Sequence, residues 1–164
     1  MAASAGGRPV LIAYDGSEQA KRAIGEAGRV LGPGRPAVVL TVREPIESYE
    51  FVGLGGATTL DPATVSAMQD AAQNEATVVA EEGATLARAA GFDAEARVGV
   101  GPTPWQEIVG AADELDAEVI AIGSRGRTGL KKVLLGSVAS AVAQHSGRSV
   151  LIVHPETGDG AEAD

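Results

Sequence analysis

The residues of this chain best suited to chemistry are Gly123-Ser124-Arg125-Gly126 and, after nine intervening residues, Gly136-Ser137. They follow the apolar run Val119-Ile120-Ala121-Ile122. Glycines directly after a buried strand let backbone come close to a ligand, and the ligand expected here is a phosphate. Gly123 would let the chain turn sharply off the strand. Gly126 would remove a side chain where phosphate or ribose approaches. Gly136-Ser137 opens a predicted helix, whose free N–H groups and positive dipole end favour an anion. Ser137 can add a hydroxyl donor or serve as a plain N-cap. Ser124 and Arg125 can contact ribose or phosphate, or face solvent.

Charge supports a small anion as the ligand. The 164 residues carry a net charge of −9, which argues against non-specific binding to nucleic acid or an anionic membrane. Yet Val119 to Pro155 contains no Asp or Glu and holds Arg125, Arg127, Lys131, Lys132 and Arg148. Chance clustering on a solvated loop explains many charge runs, but this one overlaps the glycine motif. There is no cysteine, so disulfides, thiolate metal sites and cysteine nucleophiles are excluded. No apolar run approaches the roughly 20 residues that cross a bilayer, and Met1 to Pro9 has no apolar stretch of a secretory signal. A cytoplasmic protein is expected.

The elements that must position the motif alternate along the chain. Val10 to Tyr14 reads as a buried strand, and Ser17 as the N-cap of a helix reaching Leu31. Ala37 to Val42 is a second buried strand. Pro45 to Leu60 has poor periodicity and reads as a mobile loop carrying Tyr49 and Phe51, able to fold over a ligand or to remain a disordered surface loop. Asp61-Pro62 starts a long helix that Gly91 ends. Ala94 to Val100 alternates apolar and polar residues, as at a sheet edge. Thr103-Pro104-Trp105-Gln106 reads as a capping box. Val119 to Ile122, a helix from Ser137 to His145 and a strand from Ser149 to Val153 complete the order βαβαβαβαβ. That order predicts one α/β domain, residues 8–155, with a doubly wound parallel sheet and helices on both faces. Residues 1–7 and 156–164 read as disordered tails.

With these elements in place, the chain resembles the universal stress protein family. Residues 123 to 137 match its nucleotide signature, Gly-x2-Gly-x9-Gly-Ser/Thr, at every fixed position. The resemblance spans about residues 8 to 154. It implies a five-stranded parallel sheet of order 3-2-1-4-5, and ATP binding, with any Mg²⁺ held largely by phosphate oxygens. It also implies that Asp15 approaches the adenosine part and that Val42 frames adenine. A carboxylate can accept hydrogen bonds from ribose hydroxyls or the adenine amino group. Asp15 can equally cap the Asp15-Gly16 turn, and Val42 can be ordinary core. The implied nucleotide site is thus Asp15, Val42, Gly123, Ser124, Arg125, Gly126, Gly136 and Ser137. Ala139 stands where some ATP-binding relatives carry a hydroxyl.

No P-loop, no Gly-x-Ser-x-Gly elbow and no His or carboxylate pair with metal-ligand spacing occurs. His145, at a helix C-terminus, and His154 read as structural. No catalytic and no metal-ligating residue is therefore assigned. The expected function is a nucleotide-dependent sensor or regulator in the stress response, with an unknown protein partner. Slow ATP hydrolysis or phosphotransfer, and an interaction module without nucleotide, are the alternatives. In the implied sheet order strand five is an edge, and Val150 to Val153 is apolar for an exposed edge. A homodimer pairing this strand across a two-fold axis is expected.

Overall fold

The computed structural model describes residues 7–46, 61–127 and 135–155. Residues 1–6 and 156–164 of the expected tails, almost all of the 45–60 loop, and Lys131 and Lys132 lie outside the described residues. Nine elements alternate: β1 (Val10–Ala13), α1 (Glu18–Leu31), β2 (Pro36–Arg43), α2 (Pro62–Ala89), β3 (Asp93–Val100), α3 (Pro104–Glu114), β4 (Val119–Gly123), α4 (Ser137–His145) and β5 (Ser149–Val153). The strands form one parallel sheet in the order β3-β2-β1-β4-β5, as the sequence predicts. Val10 pairs with Ala37 on one side and with Val119 on the other.

Alternation along the strands sorts the core into two layers. Val10, Ile12, Tyr14 and Val39 face α1 and α2. Leu11, Leu40, Ile120 and Ile122 face α3 and α4. The helices meet the sheet largely through alanine, with Ala20, Ala23 and Ala27 buried on α1 and Ala76, Ala80, Ala84 and Ala87 on α2. Gly83 takes this close approach to its limit: a Cβ there would lie 2.6 Å from Tyr14 Cδ1 and 2.7 Å from Val39 Cγ1. Neither atom can swing away, so even alanine at 83 would overpack the seam by roughly 1–3 kcal/mol, outweighing alanine's better helix propensity.

Ser17 and Asp61 cap their helices through their side chains. Ser17 Oγ accepts from Ala20 N at 3.2 Å, and Asp61 Oδ1 from Ala63 N and Thr64 N at 3.0 Å each. The expected capping box at Thr103 does not form. Ser17 and Asp61 hold ψ at 156° and 152°, whereas Thr103 holds 97°. Its carbonyl takes the first-turn bond from Gln106 N at 3.0 Å instead. α2 is the longest helix, and its first half, up to Glu75, has no fully buried residue. That half flanks the carboxyl end of the sheet.

The amino ends of the strands are tied together by ion pairs. Arg8, before β1, bonds Asp116 at 2.8 Å, and Arg148, before β5, bonds Asp113 at 2.9 Å and Asp116 at 3.3 Å. Arg35, before β2, pairs with Glu118. Asp116 has φ of 48°, a left-handed conformation uncommon outside glycine, and both guanidiniums converge on its carboxylate. No helix among the described residues is long and apolar enough to cross a membrane.

Candidate nucleotide site at the carboxyl end of the sheet

The chain leaves β1 toward β2 and β3, then crosses back to β4 on the other side of β1. This reversal makes the carboxyl ends of β1 and β4 the place where a doubly wound fold opens a crevice. A cavity of about 750 Å³ lies there, within the ~300–1,000 Å³ typical of ligand sites. All eight residues of the implied site line it. Asp15 follows β1, Val42 lies near the end of β2, Gly123 ends β4, and Ser124, Arg125 and Gly126 follow. Gly136 and Ser137 start α4.

Their local roles differ in part from expectation. Gly123 is the last residue of β4 and makes no turn. A Cβ on it would lie 3.2 Å from the Cβ, backbone C and O of Gln19, so its glycine lets the first turn of α1 rest against the sheet. Gly136, with ψ of 160°, is the N-cap of α4, and Ser137 is the first helical residue. No side chain caps this helix, so its leading N–H groups are available to a ligand. Gly136 N also donates to Ser124 O at 2.6 Å, which draws the two halves of the motif together.

Ser124 is fully buried, which removes the solvent-facing alternative. Its Oγ finds no hydrogen-bond partner among the described residues. A buried hydroxyl in that state is uncommon and calls for a partner. Asp15 divides its carboxylate: Oδ1 accepts from Ser17 N at 3.0 Å, which is the turn-capping role. Oδ2 lies 3.3 Å from where a Cβ of residue 126 would stand. Val42 packs against the α3–α4 side of the core while also lining the cavity.

The cationic stretch is split by the fold. Arg125 and Arg127 line the cavity, but Arg148 sits at the opposite end of the sheet, engaged by Asp113, Asp116 and the Ala117 carbonyl. Its place just before a parallel strand dictates this. His145 stacks on Trp105 with ring centroids 4.8 Å apart, and neither histidine lines the cavity.

Tyr14, Arg43 and Glu75 also line the cavity and were not singled out from the sequence. Burial pushes the Tyr14 phenol up to about 12, and the neighbouring Glu82 carboxylate adds to the effect. Glu75 had a detectable signal: it interrupts the inward stripe of Ala72, Ala76 and Val79. Arg43 had one too, as the first charge after the apolar run of β2.

An α/β chain with a cavity at its switch point, a glycine-lined strand exit and an uncapped helix N-terminus has the architecture of a doubly wound ligand-binding domain. The comparison with known sequences identifies which kind. The profile of the universal stress protein family matches residues 7–154, and the chain belongs to that family. It is 30% identical over 154 residues to universal stress protein YxiE of Bacillus subtilis, spanning 88% of this chain and 97% of that protein. The solved structure of MJ0577, a universal stress protein of Methanocaldococcus jannaschii, superposes with a TM-score of 0.72 at 25% identity, over 92% of this chain and 98% of that one. A universal stress protein solved in complex with cAMP superposes at 0.61 with 28% identity, over 90% and 96% of the two chains.

Proposed function

We propose that this universal stress protein binds ATP at the carboxyl end of its sheet and acts as a nucleotide-dependent sensor or regulator. The observation that carries the reading is the buried Ser124 Oγ, without a hydrogen-bond partner among the described residues, beside the uncapped N-terminus of α4 in one cavity. A phosphate would meet the hydroxyl and the helix N–H groups together. Arg125 and Arg127 supply positive charge on the same side. The adenosine part would run toward Asp15 and Val42. A relative that holds cAMP supports an adenine nucleotide as the ligand.

The residues present fit a nucleotide carrying its own metal. Mg²⁺ would ride on phosphate oxygens. When bound, the metal would neutralise phosphate charge. The chain's part is to bind and orient: Ser124 and α4 hold phosphate, Asp15 accepts from the sugar or base, and Gly126 leaves the approach open. Slow hydrolysis is a second reading, in which Asp15 would position metal or water in place of the sugar or base. Under it, Asp15→Asn would abolish single-turnover cleavage.

Calorimetry with ATP, AMP and cAMP tests the first reading. Saturable one-to-one binding, strengthened by added phosphates, is expected. Absence of binding by all three would overturn it.

A homodimer through β5 is part of the same proposal. The two sheet edges differ in composition: β3 carries Asp93, Glu95 and Arg97, whereas β5 is Ser-Val-Leu-Ile-Val. Charges discourage strand pairing and an apolar edge invites it. Sedimentation as a dimer at micromolar protein is expected, and a monomer would refute the pairing.

A further inference from the structure

Arg43 is the last residue of β2 and lines the cavity beside Val42. Its guanidinium is fixed at two points. Nε donates to Gln73 Oε1 of α2 at 2.9 Å, and Nη1 to the Glu44 carbonyl at 3.3 Å. Neither bond uses the faces of the guanidinium plane.

Position assigns this group to one end of a nucleotide. β2 and β4 flank β1, so their carboxyl ends stand about 10 Å apart, twice the ~4.8 Å strand spacing. The phosphate-seeking groups, Ser124 and α4, belong to the β4 end. A ligand reaching from them across β1 brings its far end, the base, to β2. Among the described lining residues the one aromatic side chain is Tyr14. Its ring is enclosed beneath α2, with Cδ1 and Cγ within 2.8 Å of where a Cβ of residue 83 would stand. The acidic neighbours Glu44 and Glu75 offer no stacking plane. Arg43 offers one, and guanidinium planes stack well on aromatic rings.

Resting on the nucleotide reading above, we infer that Arg43 is the base platform of the site, held flat by Gln73, and that it recognises the nucleobase and leaves phosphate to the β4 side. Gln73 is then a positioning residue, and α2 senses the base through it.

Calorimetric affinities for ATP, AMP, adenosine and inorganic tripolyphosphate, measured on the full chain, test this. Arg43→Met should weaken ATP, AMP and adenosine by the same factor, roughly tenfold, and leave tripolyphosphate unchanged. Arg43→Lys should be no better than Arg43→Met, because it keeps the charge and loses the plane. Gln73→Leu should give a smaller loss with the same ligand pattern. Thermal unfolding of each variant shows that the fold is retained. A loss that grows with the number of phosphates, rescue by Arg43→Lys, or intact binding by Arg43→Met would each overturn the inference while leaving the site standing. Failure of the wild-type chain to bind any of the three adenine compounds would overturn both.

Discussion

The two ends of the sheet are built on opposite principles. At the amino end, the arginines that precede the strands have partners: Arg8 and Arg148 meet at Asp116, Arg148 also bonds Asp113 and the Ala117 carbonyl, and Arg35 meets Glu118. At the carboxyl end, the Ser124 hydroxyl is buried without a partner among the described residues, a helix begins uncapped, and both line a cavity. The first arrangement consumes its polar groups in holding the strands together. The second leaves them unspent, a cost in stability that a bound ligand would recover. Parallel topology makes this division possible, because all strand starts fall at one end and all strand exits at the other.

Substitutions should therefore separate stability from binding according to the end they touch. The largest effect is expected from Gly126→Val at the carboxyl end. Its branched side chain would enter the space beside Asp15 Oδ2 and lower ATP affinity by about 10- to 100-fold. Residue 126 is exposed, so the melting temperature without ligand should barely move. Unchanged affinity would remove this end from the site.

Tyr14 gives the carboxyl end an alkaline signature. Its folded value, about 12, lies above the ordinary tyrosine value near 10 because burial disfavours the phenolate and Glu82 repels it. The resulting stability is fully present below pH 10 and is lost as pH rises toward 12, amounting to on the order of 2–3 kcal/mol. Denaturant unfolding of Tyr14→Phe should fall less steeply over this window than the wild type, with the pair of Lys21 and Glu82 left to titrate in both.

Ser124→Ala should divide the two properties. Losing an unpartnered buried hydroxyl leaves the free protein as stable or up to about 1 kcal/mol more stable. On the nucleotide reading the same change removes a phosphate donor, and ATP affinity should fall roughly tenfold. A loss of stability with affinity intact would reverse the roles assigned to the two ends.

The smallest effect belongs to the amino end. The Asp116 carboxyl is held below its usual range by the hydrogen bond from Arg148 and, with it, by Arg8. A depressed carboxyl adds stability above about pH 4, the unfolded value, and loses it as pH falls through the lower folded value. Asp116→Asn should blunt the acid limb of stability, modestly because the pairs are exposed. ATP affinity at pH 7 should stay the same.

Local chemistry accounts for what was legible in the sequence. Ser17 and Asp61 cap their helices from within one turn, and the alternation of β3 marks an edge strand without reference to anything distant. The place of the glycine motif, between a strand exit and a helix start at the mouth of the cavity, was legible because its spacing, preceding strand and following helix agree. What escaped depends on contacts between distant segments. Gly123 is glycine because α1, about a hundred residues earlier, rests on it. Ser124 reads as a loop polar residue, and its burial emerges only when β4, α4 and the Val153 carbonyl close around it. Thr103 has the residues of a capping box, but its ψ is set by how β3 hands the chain to α3. Arg148 looked like part of one cationic stretch until the topology carried it to the far end.

Amide hydrogen exchange with and without saturating ATP tests the division between the ends most directly. Protection is predicted at residues 14–17, 124–126 and 137–139, with no change at 116–118 or 148–149. Protection centred on the amino end, or no change anywhere at saturating ATP, would contradict it.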